Sequence, residues 1–172
     1  VRDYYSSKYL DQYADLIICR HVLEHIDKPR DFLRTVRQSI GDQSTPVYFE
    51  VPNMTYDLRE LKFWDLIYEH VSYFTLSSLV RLFMETGFEP TFLSESFDGQ
   101  FLSLDAAPNG SLSPEAWAGW ANLYNLPRQV ADYAVEYRHQ MEMWQQKVAA
   151  WIHGDQKVVV WGGGSKASAF LN

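Results

Sequence analysis

The sequence has one cysteine, Cys19, which excludes a disulfide framework and any zinc site built from several cysteines. No apolar run approaches the ~20 residues that a membrane-spanning helix needs. No signal-peptide pattern opens the chain, so the expectation is a cytoplasmic protein with no membrane partner. Basic residues are the minority, 15 Lys and Arg against 22 Asp and Glu, and the net charge of −7 argues against electrostatic binding of nucleic acid. Internal repeats and low-complexity tracts are also missing. What the chain does have is apolar and aromatic mass: 47% of its 172 residues are hydrophobic and 16% aromatic. That is enough to bury a core, and it excludes wholesale disorder. The length suits one domain, or one domain and a piece of a second. The chain opens at Val1 and closes on an apolar stretch, a glycine loop and one helical turn. Such a unit cannot bury its own faces, so the sequence reads as a segment of a longer protein.

The hydrophobic pattern predicts an α/β layout. Ala14–Cys19 is a continuous apolar run of the kind that forms a buried parallel strand. Asp27-Lys28-Pro29 opens a helix, with Asp27 as the expected N-cap, and Phe32, Leu33, Val36 and Ile40 recur along it. Gly41-Asp42 ends it. Pro46–Val51 is the next strand, followed by a helical stretch with Leu58, Leu61, Trp64 and Ile67 on one side. Thr75 can cap a helix that carries Leu79, Leu82 and Phe83 and ends at Gly87. Glu89–Phe97 and Phe101–Ala106 flank Asp98-Gly99, a hairpin signal. The order is β-α-β-α-α-β-β, with an antiparallel end.

Asn109-Gly110-Ser111 and Pro114 mark a linker, after which Leu126–His153 reads as one helix of roughly 40 Å at ~1.5 Å per residue. Val130, Ala134, Tyr137, Met141, Trp144, Val148 and Trp151 fall at alternating spacings of four and three, a heptad seam. Two readings stand: a helix lying across its own domain, or the seam of a homodimer through 126–153. Gly154 ends the helix, and Lys157–Trp161 is expected to begin a last strand.

Three constellations could carry chemistry. In the first, Arg20 and His21 follow a strand directly, where open α/β sheets bind ligands. Glu24 and His25, close behind, could equally do no more than hydrogen-bond the loop. The same residues spell H-x-x-E-H, but that zinc motif needs two histidines on one helical face, and Pro29 leaves little room for the helix. No metal ligand is therefore assigned. In the second, Tyr68-Glu69-His70-Val71-Ser72-Tyr73 sets a Glu-His pair, suited to general-base work, beside two phenols able to hold an oxygen. In the third, Gly162-Gly163-Gly164-Ser165-Lys166-Ala167 fits the G-x-G-x-x-A dinucleotide pattern. The acidic residue expected ~20 positions later falls beyond the last residue.

Taken in order, ADLIICRHVLEHI, VYFEVPN, IYEHVSYFT, FDGQFLSL and VVVWGGGSKASAFLN resemble a class I S-adenosylmethionine-dependent methyltransferase of the sugar C-methyltransferase family. The resemblance covers nearly the whole chain. It implies the C-terminal part of a Rossmann-like methyltransferase sheet over 1–108, a helical connector over 109–154, and the start of a second Rossmann-like unit over 155–172. It implies S-adenosylmethionine as cofactor and a nucleotide-linked keto-sugar as small-molecule substrate, C-methylated through an enolate. Zinc belongs only to an N-terminal module that lies upstream in the family, as does the glycine-rich cofactor loop. The chain alone is thus expected to be inactive. By resemblance His70 is the base, Glu69 its orienting partner, and Tyr68 or Tyr73 holds the enolate oxygen or the sugar. Arg20, His21 and Cys19 line the cofactor cleft, and Asn53 faces substrate. Family members often carry one residue between the tyrosine and the glutamate, whereas Tyr68 abuts Glu69 here. The alternatives are an O- or N-methyltransferase on the same scaffold, a nucleotide- or NAD-binding module using Gly162–Gly164, and a zinc hydrolase.

Overall fold

Two apolar strands joined through a helix must run parallel, and β1 (Ile17–Arg20) and β2 (Val47–Pro52) do, linked through α1 (Pro29–Ile40). The computed structural model describes residues 5–9, 13–63, 66–108 and 126–171. The chain then continues through α2 (Met54–Glu60), α3 (Leu76–Met84), the hairpin β3 (Phe88–Ser96) and β4 (Phe101–Pro108), α4 (Leu126–His153) and α5 (Ser165–Leu171). It divides into two compact units: residues 1–55 with 69–124, and residues 56–68 with 125–172.

The first unit holds a four-stranded sheet in the order β1-β2-β4-β3. Only β1 and β2 are parallel; β4 inserts antiparallel to both β2 and β3, the mixed α/β sheet that the pattern predicts. Strand alternation sends Val47, Phe49, Val51, Leu102, Leu104 and Ala106 to one face, where Leu33, Val36 and Ile40 of α1 and Leu79 and Phe83 of α3 cover them. The opposite face carries Ile18, Arg20, Tyr48, Glu50 and Ser103, placed in rows by the register Arg20–Glu50–Ser103. β1 is thus not a strand buried on both sides: Ile18 is 60% exposed, and β1 pairs with β2 alone among the described residues.

The element boundaries follow local chemistry. Pro29 takes the first position of α1, so the cap falls on Lys28, which makes no side-chain bond; Asp27 is not the cap. Gly41 closes α1 at φ +58, a left-handed conformation that suits glycine. Thr75 caps α3 as expected, in a reciprocal pair with Ser78. The hairpin turns at Phe97–Gln100 with positive φ at Phe97, Asp98 and Gly99.

The helical stretch expected through Ile67 stops at Glu60. Leu61 adopts φ +51 and the Lys62 amide returns to the Asp57 carbonyl, which is the hydrogen bond of a Schellman terminus. Leucine in that position gives no sequence signal of an ending. Trp64 and the linker at 109–114 lie outside the described residues.

In the second unit α4 spans the residues expected of it. Tyr133 is its buried side chain; it stacks on Tyr137 and donates 2.9 Å to the Lys62 carbonyl. Burial, then Tyr137 and Asp57, pushes its phenol up to about 12. Along the heptad seam Phe63 meets Tyr137 and Phe170 meets Trp144, both from the same unit, while Val130 remains 46% exposed. The expected strand over Lys157–Trp161 does not form. These residues have no ladder partner among those described, and Trp161 is 101% exposed.

Candidate functional site

Two side-chain groups meet beyond the carboxyl end of β1, both within the first unit. The first is centred on Glu50. Its side chain is 4% exposed and its Oε1 accepts from Arg20 Nε at 3.0 Å and Nη2 at 2.8 Å. Tyr48 donates to Oε2 at 2.9 Å, and Ser103 lies at 3.5 Å. The register explains the convergence: Arg20, Glu50 and Ser103 share one row, and Tyr48 sits two residues from Glu50 on the same face. Burial works to raise the Glu50 pKa. The hydrogen bonds from Arg20 and Tyr48 and the charges of Arg20 and His21 outweigh it, so the carboxyl lies below the usual range.

His21 joins this group to the second. It holds φ +52, which turns the chain at the strand end, and its backbone amide donates to the Glu50 carbonyl at 3.0 Å. Its ring lies between two carboxylates, with Nε2 at 3.0 Å from Glu50 and Nδ1 at 3.6 Å from Glu24. The ring edge packs on Phe101, 4.7 Å between centroids.

The second group consists of Glu24, His25, His70 and Tyr73, joined by the backbone carbonyl of Glu69. Glu24 and His25 sit in the single 3-10 turn Leu23–His25, not on an α-helix. The two histidines of H-x-x-E-H therefore do not share a helical face, and the hydrolase motif is not formed. The turn anchors the 69–73 loop instead. The Glu24 carbonyl accepts from the amides of Val71 at 2.9 Å and Ser72 at 3.0 Å. His25 Nδ1 lies 2.7 Å from the Glu69 carbonyl. A carbonyl only accepts, so Nδ1 carries the proton and a neutral His25 keeps its lone pair on Nε2. The loop so fixed sets the His70 ring against His25 at 4.9 Å and near Tyr73 at 6.3 Å. Glu24 is 1% exposed and its Oε2 meets no hydrogen-bond donor among the described residues. Ligand atoms of Glu24, His25 and His70 all lie within 4.8 Å of one another.

Among the residues expected from the sequence, the structure brings Arg20, His21, His70 and Tyr73 to these groups; Glu69 contributes its backbone carbonyl, and its side chain is exposed. Three others fall elsewhere. Tyr68 is 98% exposed and belongs to the second unit. Cys19 points to the opposite face of the sheet, against the core; burial and then the Glu24 charge push its thiol up to about 12. Asn53 is 1% exposed and its amide is consumed internally, donating to the Gly99 carbonyl at 2.9 Å and to Glu95 and accepting from Thr55. It fixes the hairpin turn and is not free to face a substrate. Glu50, Tyr48 and Ser103 were not expected. A carboxylate inside the apolar run VYFEVP, near the carboxyl end of a parallel strand, is the signal that could have found them.

A cleft of about 270 Å³ beside the loop is lined by Ser72, Tyr73, Arg30 and Arg81, among others. A larger one of about 440 Å³ lies at residues 13–15 and 43–46, before both parallel strands, and is lined by none of the residues of the two groups. The glycine loop Gly162–Gly164 is exposed, follows no strand and precedes a helix of seven residues. No described helix is long and apolar enough to cross a membrane.

The family described as "Methyltransferase domain" matches residues 3–92, about half of the chain. No curated protein matches it. Among solved structures, a crystal structure of TnmH aligns with TM-score 0.46 and 19% identity, over 60% of this chain and 33% of that one. Magnesium protoporphyrin IX methyltransferase (ChlM) from Synechocystis PCC 6803, solved with bound SAH, aligns with TM-score 0.41 and 16% identity, over 58% of this chain and 48% of that one. The chain thus spans between a third and a half of the length of these structures.

Proposed function

The chain belongs to the methyltransferase-domain family, and on that footing we propose that it is the C-terminal part of an S-adenosylmethionine-dependent methyltransferase that C-methylates a nucleotide-linked keto-sugar. In this reading residues 1–108 belong to the methyltransferase domain, 109–154 connect, and 155–172 begin a further unit. The observation that carries the reaction type is the pinned 69–73 loop. It holds an imidazole and a phenol together at the end of β1, with three hydrogen bonds fixing the loop backbone to Glu24 and His25.

Carbon is not a nucleophile until a proton leaves it, so C-methylation needs a base and a partner for the resulting oxyanion. His70 takes the proton from the carbon next to the keto group. Tyr73, 42% exposed on the same loop, donates its hydroxyl to the enolate oxygen. Glu69 is exposed; its carbonyl sets the His25 tautomer, which in turn packs on the His70 ring. The abstracted proton stays on His70, and the enolate carbon would take the methyl that the bound cofactor would release as it becomes a neutral thioether. The cofactor supplies the electrophilic methyl of a sulfonium. The end of β1 fits it, because Arg20, His21 and Val22 are all exposed there, at the position where such sheets take ligands, and Glu50 holds Arg20 and His21 in place.

The test is exchange chemistry in the full-length protein. With a nucleotide-linked keto-sugar in D₂O, the α-proton should wash out without cofactor, and His70→Ala should abolish both wash-out and methyl transfer. Methyl transfer that survives His70→Ala points to an oxygen or nitrogen acceptor, already nucleophilic, and overturns the enolate reading.

A further inference from the structure

We propose that Glu24, His25 and His70 form a binding site for one divalent transition-metal ion of the zinc class. Three observations converge on it. One imidazole nitrogen from each histidine and one Glu24 carboxylate oxygen lie within 4.8 Å of one another. Two histidines and a carboxylate are a donor set that borderline ions such as Zn²⁺ and Co²⁺ accept, at bond lengths of about 2.0–2.2 Å. Modest rotation of the half-buried His70 side chain would close that gap.

The second observation is the carboxylate itself. Glu24 is 1% exposed, Oε1 faces His21 at 3.6 Å, and Oε2 meets no donor among the described residues. A buried oxygen without a partner is costly, and a cation is the partner this one lacks. The third is the support around His25. Its Nδ1–H is spent on the Glu69 carbonyl at 2.7 Å, which leaves Nε2 as the donor and fixes the ring. Metal-bound histidines are held by their second nitrogen in this manner.

The site differs from the H-x-x-E-H arrangement. His21 is engaged by Glu50, and the third ligand comes from the 69–73 loop, 45 positions after His25 in the sequence. An ion held here occupies the His70 lone pair, so ion and substrate proton compete for one nitrogen. That consequence rests on the enolate reading above; the binding itself does not.

The experiment is a titration of the chelator-treated chain with Zn²⁺ and, as a visible probe, Co²⁺, followed by calorimetry and absorption. One ion per chain is expected. His25→Ala and Glu24→Gln should each weaken it at least about tenfold, while His139→Ala and His153→Ala on α4 leave it unchanged. His25 is exposed, so its variant keeps the fold; circular dichroism checks the Glu24 variant. Absence of saturable binding overturns the proposal. So does binding that persists in both variants or is lost with the α4 histidines. Loss of α-proton wash-out on adding Zn²⁺ would join the two readings. Binding without any effect on wash-out would leave the metal site standing and remove His70 as the base.

Discussion

Glu50→Gln is the substitution that tests the strand-end network most directly. The carboxylate is 4% exposed but its guanidinium partner is 52% exposed, so the pair is neither a surface bridge nor a fully buried one. Removing one partner of a buried pair costs about 3–5 kcal/mol, whereas surface pairs contribute about 0–1 kcal/mol. Glutamine keeps the shape and one acceptor. It weakens two charge-assisted bonds from Arg20 and turns a donor toward Tyr48. With the exposed Arg20 free to regain water, the expected loss is about 2 kcal/mol at pH 7. At a urea m-value of roughly 2 kcal/mol/M this lowers the midpoint by about 1 M. The pH dependence gives a second handle. The folded-state pKa of Glu50 lies below its unfolded value, so its stabilisation is complete above the unfolded pKa, near 4.3, and is lost as pH falls through the folded pKa. Glutamine does not titrate, so the gap between wild type and variant should close in acid. Circular dichroism or exchange protection of β2 amides should be the readout, because Glu50 lies within that strand. A loss under about 0.5 kcal/mol at pH 7, or a gap that persists unchanged in acid, refutes the reasoning.

Two further outcomes follow from the core side of the sheet. Leu79 is fully buried between α3 and the sheet, and Leu79→Ala should cost about 2–5 kcal/mol in urea unfolding; a loss near zero would mean that α3 does not cover this face. Cys19, with its thiol near 12, should react with a disulfide reagent at pH 8 roughly a thousandfold more slowly than a free thiol and at full speed once the chain is unfolded; equal rates in both states would contradict its burial.

Much of this protein was written in local pattern. The apolar periods of α1 and α3, the run of β2, the Asp98-Gly99 hairpin and the Thr75 cap depend on neighbours a few residues apart, and each formed where expected. So did the 28 residues of α4, whose length alone outweighs its weak amphipathicity. Local pattern failed where a single backbone angle decided the outcome: Leu61 ends α2 with a conformation that leucine seldom takes, so nothing in the composition announced it.

The site divides in the same way. That Arg20 and His21 end a parallel strand, and that Glu69, His70 and Tyr73 share a loop, follows from the order of residues. Which groups meet them does not. Arg20 and Glu50 are thirty positions apart, Glu50 and Ser103 fifty-three; only the register of three strands puts them in one row. His25 reaches the Glu69 carbonyl across forty-four positions because one 3-10 turn lies beneath the loop. The same packing withdrew Cys19 to the core and closed Asn53 around its turn, two residues whose position in the sequence gave them no such role. Sequence determined which chemistry this chain carries at the end of its sheet. Tertiary structure decided which donors and acceptors face one another, because pairing across strands is a long-range event that no local period encodes.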